Sequence, residues 1–227
     1  MMGTLWVVAA RAADLDAALS DVGWAHADDV KTAEIGTVVL ETRTLDGERC
    51  LRGRVTVDVP PEPLVATVSD IPAAPRFSRE TLLASRTLGH EGGAVHYYQH
   101  LDVPGWTLVA DRFWVVSGWR RDVGATRVFA WDRFDWRARY PDLAAELARD
   151  HPAAVEPDPN YGAWSFAPSG AGSVVTYTLC NNAAGSLPEW VVRAAATRTF
   201  PNTIVDIVLE GRRRAATGPA GASGDAG

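Results

Sequence analysis

The chain has 227 residues, 47% apolar and 22% charged, enough for one folded domain or at most two. Its 22 Lys and Arg against 28 Asp and Glu leave a net charge of −6, which offers no overall field to attract nucleic acid. No residue class points to disorder or a collagenous repeat, no apolar run reaches the ~18 residues of a membrane-spanning helix, and Cys50 and Cys180 lack zinc-site spacing.

The start, MMGTLWVVAARAADLDAALS, has a short apolar segment but no positive n-region. A secretory signal with its beginning missing and a lead-in to a first helix both remain open, and the helix is preferred. Asp14–Val22 reads as that helix, with Asp14 as N-cap. Glu34–Leu45 and Glu48–Val59 are β-branched strands around an Asp46-Gly47 turn. Pro60–Asp70 switches to helical spacing, with Leu64, Val65 and Val68 on one side. After a Pro-rich link come β-type runs at Arg79–Leu88, Ala94–Val103, Thr107–Arg121 and Thr126–Trp136. Tyr140–Asp150 is a short amphipathic helix, and Ala153–Pro159 a Pro-rich acidic loop. Tyr161–Pro168 and Ser173–Cys180 are the last strands.

A helix from Leu187 closes the chain, with Leu187, Val191, Ala194 and Ala195 on one side and Trp190 beside them. Pro201 is expected to break or bend it. Ile204, Val205, Ile207, Val208 and Leu209 then form an apolar face wide enough to need a sheet as partner. The predicted organisation is residues 1–30 as lead-in, 31–214 as one domain and 215–227 as a disordered Gly-rich tail. About eight strands joined by short loops imply antiparallel pairing, and gathered helices imply α+β. The expected architecture is a curved antiparallel sheet gripping its C-terminal helix. Nine Trp suit a Trp-rich core or, more sharply, a lined apolar cavity.

No GxSxG elbow or HExxH motif is present, so no catalytic residue, metal or cofactor is expected. His90, His96 and His100 gather around one predicted strand, and alternation puts His96, Tyr98 and His100 on one face. No cysteine or carboxylate of matching spacing joins them, which favours structural or solvated histidines over a metal. Gly92-Gly93 and Gly170–Gly172 sit in hairpins, and Glu156 and Asp158 are too sparse for calcium. Arg212–Arg214 suits the end of a helix dipole or an anionic membrane surface; the former is preferred.

The stretch YGAWSFAPSGAGSVVTYTLCNNAAGSLPEWVVRAAATRTFP resembles the closing region of START (StAR-related lipid-transfer) domains. There a strand ends in a D-x-x-G-x-[IL]-P turn before the long helix; here Asn182, Gly185, Leu187 and Pro188 occupy that pattern, with Asn in place of the usual acid. Arg52–Asp70 is similar to the family's strand into its second helix. His96–Arg121 is similar to its "Y…P…RDFV" strand pair, with Asp111-Arg112 in the reverse of the usual order. The resemblance spans about Ile35 to Arg214.

It implies a helix-grip fold around an apolar tunnel for one lipid or other hydrophobic small molecule. Its implied gate is the terminal helix, bending at Pro201, and the loop Val103, Pro104, Gly105 and Trp106. The implied ligand-binding set is Tyr98, His100, Asp111, Phe113, Val115, Ser117, Trp131, Phe166, Trp190, Val191 and Ala195. Tyr98 and Ser117 take the positions where some sterol-binding relatives carry an acid and an arginine. Asp111, Phe113, Val115 and Ser117 are turned inward, Asp111 at the tunnel end. The implied strand order sets Cys50 near Cys180, so that an oxidising compartment would allow a disulfide. The expected activity is non-enzymatic binding or transfer by a monomer, with transient membrane contact. A polyketide cyclase or hydrolase on the same fold, for which His100 and Asp111 are the only candidates, and a ligand-sensing module stand as alternatives.

Overall fold

The computed structural model describes residues 16–45, 47–104, 109–182 and 189–218, without the side chains of 189–191. Nine strands form one antiparallel sheet in the order β1-β2-β3-β9-β8-β7-β6-β5-β4. They are β1 (Ala25–Thr32), β2 (Gly36–Leu45), β3 (Glu48–Val57), β4 (Leu82–Glu91), β5 (Ala94–Leu101), β6 (Arg112–Val123), β7 (Thr126–Arg133), β8 (Asn160–Ser169) and β9 (Gly172–Asn181). The helices are α1 (residues 16–19), α2 (Pro61–Ser69), α3 (Trp136–Arg139), α4 (Pro141–Asp150), α5 (Glu189–Ala194) and α6 (Phe200–Thr217). A 3-10 turn, Ile71–Arg76, replaces part of the expected Pro-rich link.

Hairpin chemistry sets most of the register. Gly92 and Gly93 both adopt positive φ, as a two-residue turn between twisted strands requires. One sheet face carries the main core, in which Val38, Val55, Val116, Phe129, Phe166 and Val175 meet Phe200, Ile204, Val205 and Val208 of α6. α2 shares this core through Leu64, Val65 and Val68. The expected curved sheet and its C-terminal helix are both present, and the fold is α+β. Gly53 lies under the helix: a Cβ there would stand 2.6 Å from Ile204 Cδ1 and 2.9 Å from Phe200 Cε1. The helix approaches the sheet this closely only because β3 has no side chain at that point.

The other face is covered in part. α3 and α4 pack Trp136, Leu143 and Leu147 against Tyr98, Phe113 and Val115. Ala18 of α1 packs on the Cys50–Cys180 disulfide, which joins register partners on β3 and β9. The cysteine neighbourhood implied by the resemblance is therefore present, as a bond.

β1 was not expected. Its sequence, AHADDVKT, has no apolar alternation because it is an exposed edge strand, its acidic residues and a bulge suiting an unpaired edge. The boundary placed at residue 31 falls inside it, and the helix reaches Thr217, past the expected start of the tail at 215. Thr107–Arg121 also differs: the strand begins only at Arg112, and Trp136 leaves its expected strand to start α3.

Pro201 does not break the helix. A π-turn, Ala195–Thr199, joins α5 to α6, and the Phe200 N–H bonds five residues back to the Ala195 carbonyl. Proline has no N–H to give and its ring crowds the carbonyl four residues earlier; the wider turn makes room for it. Arg212–Arg214 is not a free basic patch. Arg212 pairs with Asp58 at 2.6 Å, Arg213 with Glu210 at 2.7 Å, and Arg214 with Glu210 and Asp70 at 2.8 Å. The pairs to Asp58 and Asp70 lash the helix end to the residues just past β3 and α2.

Candidate ligand-binding site

Alternation along each strand decides which side chains lie beneath α6. Tyr97 and Gln99 of β5, Trp114, Val116 and Gly118 of β6, Phe129 and Trp131 of β7, Trp164 and Phe166 of β8, and Tyr177 of β9 share the inner face. Aromatic rings dominate it. Tyr177 lies between Trp164, 4.0 Å away and inclined 6°, and Phe200, 4.5 Å away and inclined 16°. Phe200 stands where the π-turn meets α6, so this stack reaches from the sheet to the altered part of the helix. Trp131 is 6.0 Å from Tyr177, and its indole fits because Gly162 has no Cβ; one would come 2.6 Å from Trp131 Cζ2.

The polar groups here are mostly matched. Trp114 Nε1 donates to Gln99 Oε1 at 3.0 Å, Gln99 Nε2 to Ser85 Oγ at 2.9 Å, and Ser85 Oγ to the Ile71 carbonyl at 2.6 Å. Trp131 Nε1 donates to Asn160 Oδ1 at 3.2 Å. Burial pushes the Tyr97 and Tyr177 hydroxyls well above the usual phenol range, so both stay protonated at any physiological pH.

Of the expected ligand set, Trp131 and Phe166 lie on this face. Tyr98, His100, Phe113, Val115 and Ser117 do not: their registers and packing put them on the outer face. The inward orientation expected for Asp111, Phe113, Val115 and Ser117 is thus reversed by one residue. β5 and β6 are largely buried on both faces because α3 and α4 cover the outer one, so alternation alone does not say which set points in. The side chains of Trp190 and Val191, and Gly105 and Trp106, lie outside the described residues. Ala195 opens the π-turn and is exposed, whereas Pro201 is buried. Val103 is half-buried and Pro104 exposed.

Asp111 ties down the described ends of that loop, accepting the Val103 N–H at 3.0 Å. It also stands 3.4 Å from His100 Nε2, off the line of a hydrogen bond, and this buried nitrogen has no hydrogen-bond partner among the described residues. Tyr98 Oη and His100 Nδ1 share a hydrogen bond at 2.9 Å, and the His151 ring lies 4.4 Å away. Burial, aided by His151, pushes His100 down against the pull of Asp111. His100 and Asp111 do come together, but beneath α4, away from the aromatic face. A cavity of about 180 Å³ between Phe113, Trp136, Leu147 and His151 adjoins them. It is smaller than the roughly 300–1,000 Å³ typical of small-molecule sites. Among the described residues no cluster suits a metal, and no helix is long and apolar enough to cross a membrane.

No protein-family model matches the chain, and no curated protein matches it significantly. Solved structures do. The STAR-related lipid transfer protein of Xanthomonas axonopodis (fragment 25–204) superposes with a TM-score of 0.64 at 20% identity, over 84% of this chain and 99% of that one. The chain has the START-domain fold. Human STARD10 shares it with a TM-score of 0.69 at 17% identity, over 89% of this chain and 78% of that one. So does the Zhui aromatase/cyclase of Streptomyces sp. R1128, with a TM-score of 0.52 at 16% identity, over 75% and 99%. At these identities the likeness is one of fold, and the START fold hosts both a lipid-transfer protein and an aromatase/cyclase.

Tyr97, Gln99, Trp114, Tyr177 and Phe200 were missed as inner-face residues. Two mid-strand glycines were the available signal. A Cβ at Gly118 would stand 2.9 Å from Tyr97 Cε1 and 2.7 Å from Phe129 Cζ, so a glycine between aromatic-rich strands marks the face its neighbours' rings cross. Gly162 marks the same face beneath Trp131.

Proposed function

We propose that the chain binds one apolar, lipid-like molecule between the inner face of the sheet and its C-terminal helix. The observation that carries this is the aromatic lining of that face, from Phe129 and Trp131 through Trp164 and Tyr177 to Phe200 at the π-turn. An exposed CH₂ group costs about 0.8 kcal/mol in water, and burial against such a lining recovers it without covalent chemistry. The START fold, shared with a protein described as a lipid transfer protein, supports the same reading. Trp131 and Phe166 are retained as ligand contacts, and Tyr97, Gln99, Trp114 and Tyr177 join them. Entry and release proceed by movement of the helix at its π-turn and Pro201, together with the loop 103–106, at a membrane surface; the protein acts as a monomer.

A cyclase on the same fold is the competing reading, favoured by the match to the Zhui aromatase/cyclase. It needs an acid–base group beside the ligand. On the described inner face the groups nearest the aromatic lining are tyrosine hydroxyls held protonated by burial, which favours binding over proton transfer.

Native mass spectrometry of the purified chain, followed by organic extraction, tests the proposal. The expected result is a bound apolar species of one stoichiometry that extraction releases. Bare protein mass, with tryptophan fluorescence unmoved across a panel of lipids, would refute it.

A further inference from the structure

Two hydroxyls on the inner face stand apart from the matched pairs around them. Neither Tyr97 nor Tyr177 has a hydrogen-bond partner among the described residues. Tyr97 is 5% exposed, and Tyr177 is half-buried in the aromatic stack. Neither oxygen is sealed off, since the one wholly enclosed orphan among the described side chains is His100 Nε2 on the other face. Both hydroxyls therefore keep a little accessible surface and no protein partner among the described residues. An unpaired polar group in such a place forfeits a hydrogen bond unless something fills it.

The two side chains converge although their strands are far apart in the sheet. The Tyr97 ring crosses β6 above Gly118 and comes 6.4 Å from Phe129. Tyr177 reaches Trp131 at 6.0 Å from the opposite side. Phe129 and Trp131 are same-face neighbours on β7, so both rings end above the middle of the sheet.

The charged groups of this face stand at its two ends. Arg120 and Arg127 are held by Glu62 at one end. At the other, Arg133 is paired with Asp158, and Arg112 donates to the Ala110 carbonyl. Between them the lining is uncharged. A carboxylate or phosphate above β7 would lose its hydration without gaining a cation. A ketone, ester or alcohol oxygen would gain two O–H donors.

We infer that Tyr97 and Tyr177 together form the polar subsite of the proposed ligand site beneath α6 and select an uncharged apolar ligand that carries a hydrogen-bond-accepting oxygen. This rests on the ligand-binding reading above and adds the chemical class of ligand.

The test uses the full chain and four probes with the same eighteen-carbon skeleton: methyl oleate, oleyl alcohol, oleate and 1-octadecene. Binding is read by tryptophan fluorescence at pH 7.4. Methyl oleate and oleyl alcohol are expected to bind at least ~10-fold tighter than octadecene or oleate, as two hydrogen bonds to one oxygen allow. Tyr97→Phe and Tyr177→Phe each remove one oxygen and keep the ring. Each should weaken methyl oleate about 3- to 10-fold and leave octadecene unchanged. Circular dichroism and thermal melting of both variants report whether the fold is retained. Tighter binding of oleate than of methyl oleate overturns the proposal, as does an ester preference that survives both substitutions. Binding of octadecene equal to the ester overturns the polar subsite but leaves the ligand-binding reading standing. Binding of none of the four removes that reading, and the subsite with it.

Discussion

The grip of the helix on the sheet is testable at Gly53. Its φ lies outside the positive range, so alanine suits the backbone, and the Gly→Ala change alone stabilises by about 0.4–1 kcal/mol through the unfolded chain. Against this, the new methyl would meet Ile204 Cδ1 at 2.6 Å, Phe200 Cε1 at 2.9 Å and Val38 Cγ1 at 3.3 Å. Carbon atoms at ease stand about 3.5–4.0 Å apart, and forcing a methyl into a packed core costs about 1–3 kcal/mol. The expected net loss for Gly53→Ala is thus about 1–2 kcal/mol, or roughly 2–8 °C in Tm for a chain of this size. Ile204→Val removes the clashing Cδ1 and alone costs about 0.5–1.5 kcal/mol. The double variant should lose less than the sum of the singles, by about 0.5–1.5 kcal/mol, because the added methyl then occupies the space vacated. Urea unfolding of the four proteins at constant pH measures this. A stable Gly53→Ala variant, or strict additivity in the double, would refute the reasoning and mean that the helix does not press on β3 at that point.

Three further outcomes follow from the ion pairs and the disulfide. Arg213 and Arg214 hold Glu210 down to about 2 from its usual 4.5, so its contribution is present above about pH 4.5 and is lost as pH falls towards 2. Glu210→Gln should therefore cost on the order of 1–3 kcal/mol at pH 7, with the gap to wild type in urea midpoint closing in acid. Asp206 behaves oppositely: burial raises it, so its contribution is full below about pH 3.8 and falls as pH rises through its folded value. Arg79 supplies both a backbone N–H at 2.7 Å and a guanidinium at 2.9 Å, so Arg79→Met should destabilise clearly at pH 7 and less in acid, once Asp206 has taken up its proton; equal losses at both ends would count against the pairing. Reducing the Cys50–Cys180 bond, which closes a loop of sequence separation 130, should lower stability by about 2–5 kcal/mol in urea with and without dithiothreitol.

The sequence by itself determined the elements whose patterns are local. Glycine pairs marked hairpins, β-branched runs marked strands, and the apolar run Ile204–Val208 announced a helix needing a sheet, although Leu209, expected on that face, is exposed. The closing motif around Asn182–Val192 then pointed to the fold. Local pattern failed where the deciding partner is remote. β1 carries no apolar signal because it lies at an edge, where one side has no neighbour to pack. Pro201 reads as a breaker until a widened turn accommodates it. The site suffered most. In HYYQHL and RFWVVSG both alternating sets are largely bulky and buried, since α6 covers one and α3 with α4 cover the other. A one-residue choice there exchanges Tyr98, Phe113 and Val115 for Tyr97, Trp114 and Val116. Only the tertiary structure made that choice, by placing α6 with α2 on one face of the sheet and α3 with α4 on the other.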